Sequence, residues 1–391
     1  MKEKPILRLL LPAVAVGFAA LLLWASHTSV LDVCAAAVVF SAKTLLPLQL
    51  PVTQVAETVA LPAAADVTAA APETTMPPQT TAPTTAAAPE TTATTVPALQ
   101  NDVFLATPQD ILDRMKTAKQ AAKTEKKGGT LLEKQYTTEG MTDQKGVVRV
   151  KNTNDTEIDL AALLKRKADL SVTKDAPSVL IFHTHTTETY QLLDRPFYAQ
   201  SFASRSSDKG QNMVRVGDEI CKQLEEAGFS VLHDTEIHDA RYTGAYEKSR
   251  ATVKEYLKKY PSIQITLDIH RDAILPNKAT KIKPTAVIGG KKAAQVMIIS
   301  GCQEEGNGVT DFPDWEQNLV FALQLQKQME TTFPGLTRPL FFCARRYNMH
   351  LTHCSLLIEV GSDGNTLEEA AYSGRCIGKA LADLMEKYVE K

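Results

Sequence analysis

The feature that most constrains the fold is a set of strand-like segments that read as buried on both faces. Ser178 to Phe182 (SVLIF) is a continuous apolar run, which is what a strand covered on both sides requires. Phe229 to Leu232, Ile263 to Ile269 (IQITLDI), Ala294 to Ile299 and Cys354 to Val360 (CSLLIEV) are strand-like as well. Between them lie segments of helical spacing: Asn212 to Ala227, closed by Gly228; Tyr246 to Tyr260, ended by Pro261; Trp315 to Glu330; and Leu367 to Lys387. Strands alternating with helices predict an α/β domain with a mainly parallel, mixed sheet flanked by helices over 173–391. A β-rich extension with a short helix at Leu160 to Ala168 precedes it, over 128–172.

The first third of the chain follows different rules. Leu9 to Ser26 carries no charge and has about the minimum length to span hydrocarbon. Lys2, Lys4 and Arg8 stand before it, so the positive-inside rule keeps 1–8 in the cytoplasm and sends the rest across. The expectation is a transmembrane anchor over 9–26 and an extracytoplasmic folded part. A cleaved signal peptide is the competing reading; the run is long for one, and no convincing small-x-small site follows it. No Lys or Arg occurs between Lys43 and Arg114, and 23 of the 28 residues from Ala71 to Ala98 are Ala, Thr or Pro. Such a stretch lacks the apolar bulk to offset ordering entropy, so 27–127 reads as a tether, with a short amphipathic helix at Gln109 to Lys123. The formal net charge is −2, which argues against a nucleic-acid partner, since neutralising phosphates needs an excess of Lys and Arg. The six cysteines form no zinc-finger pattern; Cys221 and Cys376 read as core, and Cys343 and Cys354 could meet across a hairpin.

Polar residues gather where three strands end. Ser178–Phe182 runs into His183, Thr184, His185, Thr186, Thr187 and Glu188; Ile263–Ile269 runs into His270, Arg271 and Asp272; Glu359 closes the third run. Ligands of open α/β sheets bind at the carboxyl ends of strands, so these clusters are candidates to converge. Two His and a Glu suit a catalytic zinc, and a further Glu can carry the proton of the attacking water. Each piece alone has a plain structural reading. A His after a strand is usually just a satisfied polar group, and His-x-x-Glu is common by chance. Glu359 inside an apolar strand is harder to explain without a function or a buried partner. His233 and His238 read as solvated turn residues, and His350 and His353 have a weak claim as ligands.

The blocks VLIFHTHTTETY, LDIHRDA and SLLIEVGSDGNTLEEA resemble the signatures of the stage II sporulation protein P family. These are cell-wall hydrolases of endospore formers, related to the zinc-dependent N-acetylmuramoyl-L-alanine amidases. VRVKNTNDTEIDLAALLKRK, FPDWEQNLVFALQLQ, PGLTRPLFF and RRYNMHLTHCSLLIEVG fit it too, so the resemblance runs from about Val147 to the C-terminus. It implies zinc on His185 and His270, and Glu359 as the general base. The amidases' middle ligand is a Glu before a helix, absent from Ser207 to Asn212; Glu188 is the substitute, Asp208 a weaker one, and His183 an alternative ligand or supporting group. Arg271 would hold the oxyanion or a substrate carboxylate, and Asp272 would orient His270 or pair with Arg271. The implied substrate is peptidoglycan, cut between the muramic lactyl group and L-alanine, with cross-link endopeptidase activity alongside. The implied partners are a glycan-cutting sporulation hydrolase and a membrane anchoring protein. A zinc peptidase acting on stem peptides and a non-catalytic wall-binding module are the alternatives.

Overall fold

The computed structural model describes residues 102–390, except 138, 305 and 307. The expected anchor over 9–26 and most of the tether lie outside these residues. Among the described residues, no helix is long and apolar enough to cross a membrane.

The protein is a mixed α/β structure with two sheets. The strands are β1 Lys127–Lys134, β2 Met141–Thr142, β3 Arg149–Asn152, β4 Val179–Phe182, β5 Phe197–Ala199, β6 Val231–His233, β7 Ile265–Asp272, β8 Thr280–Ile288, β9 Lys291–Ala294, β10 Val296–Gly301, β11 Leu340–Cys343 and β12 Cys354–Ser362. The helices are α1 Asp102–Leu105, α2 Gln109–Ala121, α3 Leu160–Leu163, α4 Met213–Glu226, α5 Ala245–Lys259, α6 Trp315–Thr332 and α7 Leu367–Met385. The larger sheet runs β2-β3-β11-β10-β12-β7-β4-β6, and the smaller one β5-β1-β8-β9. In the larger sheet β12, β7, β4 and β6 are mutually parallel, as are β10, β11 and β3. β10 meets β12 antiparallel. This reversal carries the starts of β10 and β11 to the edge where β7 and β12 end.

Side-chain alternation sorts the sheet faces. Ile265, Leu267 and Ile269 of β7 and Leu356, Ile358 and Val360 of β12 join the main core with α4, α6 and α7. On the other face, Leu180 and Phe182 pack with Val253 of α5 in one small cluster, and Met297, Ile299 and Leu357 form another with Phe312 and Met349. Asp268, His270 and Glu359, at the alternate positions, face the side of these small clusters. α4 and α7 approach closely at glycines. A Cβ on Gly374 would lie 2.8 Å from the Val216 carbonyl oxygen, and one on Gly378 2.6 Å from that of Ile220. Thr366 and Glu369 close a capping box at the start of α7.

The expected strand Ala294–Ile299 divides at Gln295 into β9 and β10, which belong to different sheets. The buried Gln295 amide donates to the Tyr136 and Gly335 carbonyls and accepts from the Tyr136 N–H, taking the place of ladder bonds at the crossing. β8 and β11 were not anticipated. β8 reads TKIKPTAVI, where Lys and Pro hide the pattern. The strands of 128–172 are built into both sheets, and Val172 bridges Val389. The end of the expected tether is folded: Phe104 and Ile111 join the core, and Arg215 donates to Asp110 at 2.7 and 3.1 Å. Cys343 and Cys354 are both free, and Cys221 and Cys376 lie in the core.

Lys283 of β8 is buried, with Nζ 2.6 Å from Glu369, 2.7 Å from Asp194 and 3.3 Å from Glu133. It joins the smaller sheet to the first turn of α7. Lys283→Ala leaves the buried Glu369 carboxylate short of its cation and should cost about 3–5 kcal/mol in denaturant unfolding. Lys292→Ala, on the exposed side of the same network, should cost about 1 kcal/mol or less.

Candidate active site

Three neighbouring strands deliver the site. β4 ends in the turn that carries His185 and Glu188, β7 carries Asp268 and His270, and β12 carries Glu359. Glu359 and His270 are register partners, so their side chains stand side by side on one face.

His185 is buried, edge-on to His270 with ring centroids 5.3 Å apart and stacked on Tyr242 at 4.8 Å. Its Nδ1 lies 3.9 Å from Asp239 Oδ2 and makes no hydrogen bond. Burial, then the neighbouring His270, lowers its pKa to about 3, so the ring is a neutral donor. His270 differs. Burial opposes its charge, but Asp268, with Glu188 and Glu359, outweighs burial and raises it to about 9. Its Nδ1 lies 3.8 Å from Glu188 Oε2. Its Nε2 is 2.7 Å from Asp268 Oδ1 but out of line for a hydrogen bond. Glu188 is buried; Oε2 accepts the Arg271 N–H at 3.3 Å, and Oε1 is 3.6 Å from Arg205. Oε2 of Glu359 is sealed from solvent without a partner. Burial, then the Asp272 carboxylate, pushes the Glu359 carboxyl up to about 8.

Other expected members are placed elsewhere. Arg271 points to the opposite face from His270, where its guanidinium donates to three backbone carbonyls: Thr189 at 2.7 Å, Ser204 at 2.7 Å and Asp272 at 3.3 Å. It is buried as a strut between loops and is not turned toward a substrate. Asp272 neither orients His270 nor pairs with the Arg271 side chain; its Oδ2 accepts from Arg338 at 2.8 Å. The carboxylate beside His270 is Asp268, two residues earlier and on the same face. His183 is turned toward α4, with Nδ1 3.0 Å from the Ile269 oxygen and Nε2 2.9 Å from His233 Nε2. Gly217 leaves room for this pair, since a Cβ there would lie 2.5 Å from His233 Nε2. Asp208 pairs with Arg114 at the surface. His238 is not solvated: it is buried, bonded to the His183 carbonyl at 2.9 Å and Thr252 at 3.1 Å. His353 pairs with Asp169 at the surface, and His350 stands edge-on to Phe312.

Sequence reasoning passed over Asp268, Asp239 and the tyrosines. Asp268 carries the same signal as Glu359, a carboxylate inside an apolar strand, and is now fully buried with its oxygens held by the Thr184 N–H at 2.8 Å and hydroxyl at 2.6 Å. Asp239 receives Thr187 N–H and hydroxyl bonds and the Arg205 guanidinium. Tyr246 stacks over His270 at 6.4 Å and over Tyr347 at 5.3 Å, and meets His185 edge-on at 5.6 Å.

Among the described residues, no group of three or more His, Cys, Asp or Glu is drawn together as a metal cage. The donors still fit zinc in kind: a neutral imidazole, a second imidazole and a carboxylate. His185 Nδ1 and Glu359 Oε2 are buried atoms without hydrogen bonds, the condition of groups made to serve something besides their neighbours, while His270 Nε2 is engaged by Asp268 at 2.7 Å.

Comparison with known proteins adds the lineage. The family described as Stage II sporulation protein P (SpoIIP) matches residues 91–382. The stage II sporulation protein P of Bacillus subtilis (strain 168) is 32% identical over 224 residues, 54% of this chain and 52% of that protein, so the chain spans about half the length of the curated relative it matches. Among solved structures, the N-acetylmuramoyl-L-alanine amidase AmiC2 of Nostoc punctiforme gives a TM-score of 0.32 at 11% identity, over 56% of this chain and 98% of that one. The catalytic domain of the amidase CwlV from Bacillus (Paenibacillus) polymyxa var. colistinus gives 0.32 at 15%, over 54% and 97%. Scores of that size say nothing further about this chain. The bounds of the family match take in all three strand-end clusters, and the chain belongs to the stage II sporulation protein P family.

Proposed function

We propose that this chain is a zinc-dependent peptidoglycan hydrolase, an N-acetylmuramoyl-L-alanine amidase that remodels the cell wall during sporulation. One observation carries the reading. His185, Glu188 and His270 gather at the ends of adjacent strands, with Glu359 in register beside His270 and one of its oxygens buried without a partner. Family membership supports the sporulation context. In this reading the uncharged run over 9–26 anchors the chain, and the folded part works outside the membrane. A glycan-cutting hydrolase and a membrane anchoring protein are the partners that the family resemblance suggests.

His185, Glu188 and His270 would hold the zinc, which when bound lowers the pKa of water and polarises the scissile carbonyl. The protein's own groups do the rest. Asp268 fixes the orientation of His270, itself held by Thr184. Tyr246 keeps both imidazoles in place by ring contacts. Glu359 takes the proton of the attacking water at its carboxylate and returns it to the departing amine. A carboxyl raised toward neutrality can do both, because accepting and releasing a proton then cost similar free energy.

Purified full-length chain should bind zinc near stoichiometrically, and His270→Ala should lose most of it. Peptidoglycan digested by wild type should yield stem peptides freed from glycan, and a chelator should stop the reaction. Glu359→Gln should keep its metal but slow product release by about 10²–10⁴-fold. Shortened stems still attached to glycan would reassign the site to a peptidase. Absence of both metal and product would leave a wall-binding module.

A further inference from the structure

The reversal of β10 brings a second arginine to the site. Because β10 is antiparallel to β12, with Val296 opposite Val360, the segment leading into β11 reaches the edge where β7 and β12 end. Arg338 sits in that segment. Its backbone is pinned on both sides: the N–H donates to the Val296 carbonyl at 2.7 Å, and its carbonyl accepts from Gln326 at 3.1 Å. Pro339 follows and favours the extended conformation at Arg338. The guanidinium rests over the Tyr136 ring at 5.0 Å and gives Nη1 to Asp272 Oδ2 at 2.8 Å. Nε and Nη2 meet no acceptor among the described residues and are not sealed from solvent.

The charges around it give this a meaning. Glu188, Asp268, Asp272 and Glu359 crowd the site with carboxylates. Zinc and the His270 ring would offset part of that charge at the reacting centre, but a substrate carboxylate lying beyond them, beside Asp272, still needs a cation of its own. Arg271 is bound to carbonyls, and Arg205 is bound to Asp239 beside Glu188. Arg205 pairs with two carboxylates, Asp239 and Glu188, whereas Arg338 pairs with Asp272 alone and keeps Nε and Nη2 for another acceptor. A planar guanidinium held that way presents paired donors to a second carboxylate.

We propose that Arg338 is the specificity residue of this site, receiving a free carboxylate of the stem peptide while Asp272 holds it in position. The inference rests on the hydrolase reading above. It makes the chain a reader of stem-peptide charge: substrates whose carboxyl groups are amidated would be poor ones.

The test compares N-acetylmuramoyl-L-alanyl-D-glutamate with the same compound amidated at both carboxyl groups. Binding is measured calorimetrically on the full-length, chelator-treated chain, and cleavage on the zinc-loaded chain. Wild type should bind the acid at least about tenfold more tightly than the diamide, and Arg338→Met should bring that ratio close to one. The ratio is taken within each variant, so a partly unfolded sample does not distort it. Arg338→Lys, which keeps the charge beside Asp272, covers the case in which Arg338→Met does not fold; it should lower the ratio without abolishing it. Equal binding of the two compounds by wild type, or an unchanged ratio in both variants, overturns the assignment. Preferential binding without cleavage would sink the amidase reading and leave Arg338 as a carboxylate site. Cleavage of both compounds at equal efficiency would do the reverse.

Discussion

The pairing of β7 with β12 sets the geometry on which the site depends. In a parallel pair, register partners carry their side chains on the same face, and here Glu359 is the partner of His270. A slip of one residue would turn Glu359 into the main core and bring a neighbouring apolar side chain beside the imidazole. The register is held by the apolar positions between the polar ones. Leu267, Ile269, Leu356, Ile358 and Val360 fill the core against three helices, so the hydrophobic effect on one face fixes the polar chemistry on the other.

The cost of that arrangement is visible in the charges. Buried carboxylates are tolerated when paired and hydrogen-bonded, and Asp268 meets both conditions through His270 and Thr184. Glu359 has an oxygen that meets neither, and its carboxyl is held toward the protonated form. Such imbalance is typical of places where a fold gives up stability for chemistry. Lys283 shows the opposite treatment. It is buried, three carboxylates surround it, and its function is to join two parts of the fold.

Much of this was legible in the sequence because it depends on local pattern. The apolar run at Ser178–Phe182 and the lone carboxylate of Glu359 each carry a signal within a few residues. What was not legible depends on contacts far along the chain. Nothing near Arg271 says that its donors would be taken by the carbonyls of Thr189 and Ser204. Nothing near Asp272 points to Arg338, 66 positions away. His238 reads as a turn residue until the His183 carbonyl and Thr252 close over it. β8 escaped notice because its buried Lys283 and its Pro284 contradict the usual composition of a strand. Its pairing with β1 and the Lys283 network supply what its composition does not.

The docking of α1 determines where a mechanical load would enter the folded body. The Phe104 ring lies against Phe333 and Tyr372, and Arg375 of α7 holds the Phe104 carbonyl at 2.9 Å. These contacts belong to the helical side of the main sheet, whereas Glu359 and His270 face the other side. Tension arriving along the preceding chain would first meet an aromatic stack and a guanidinium clamp on α7. That helix is locked to α4 at glycine contacts, so the pull would be shared by two long helices before it reached any strand that carries the site. If the chain is anchored and hydrolytic as proposed, a pull from its N-terminal side would load these helices before the side chains of the candidate site.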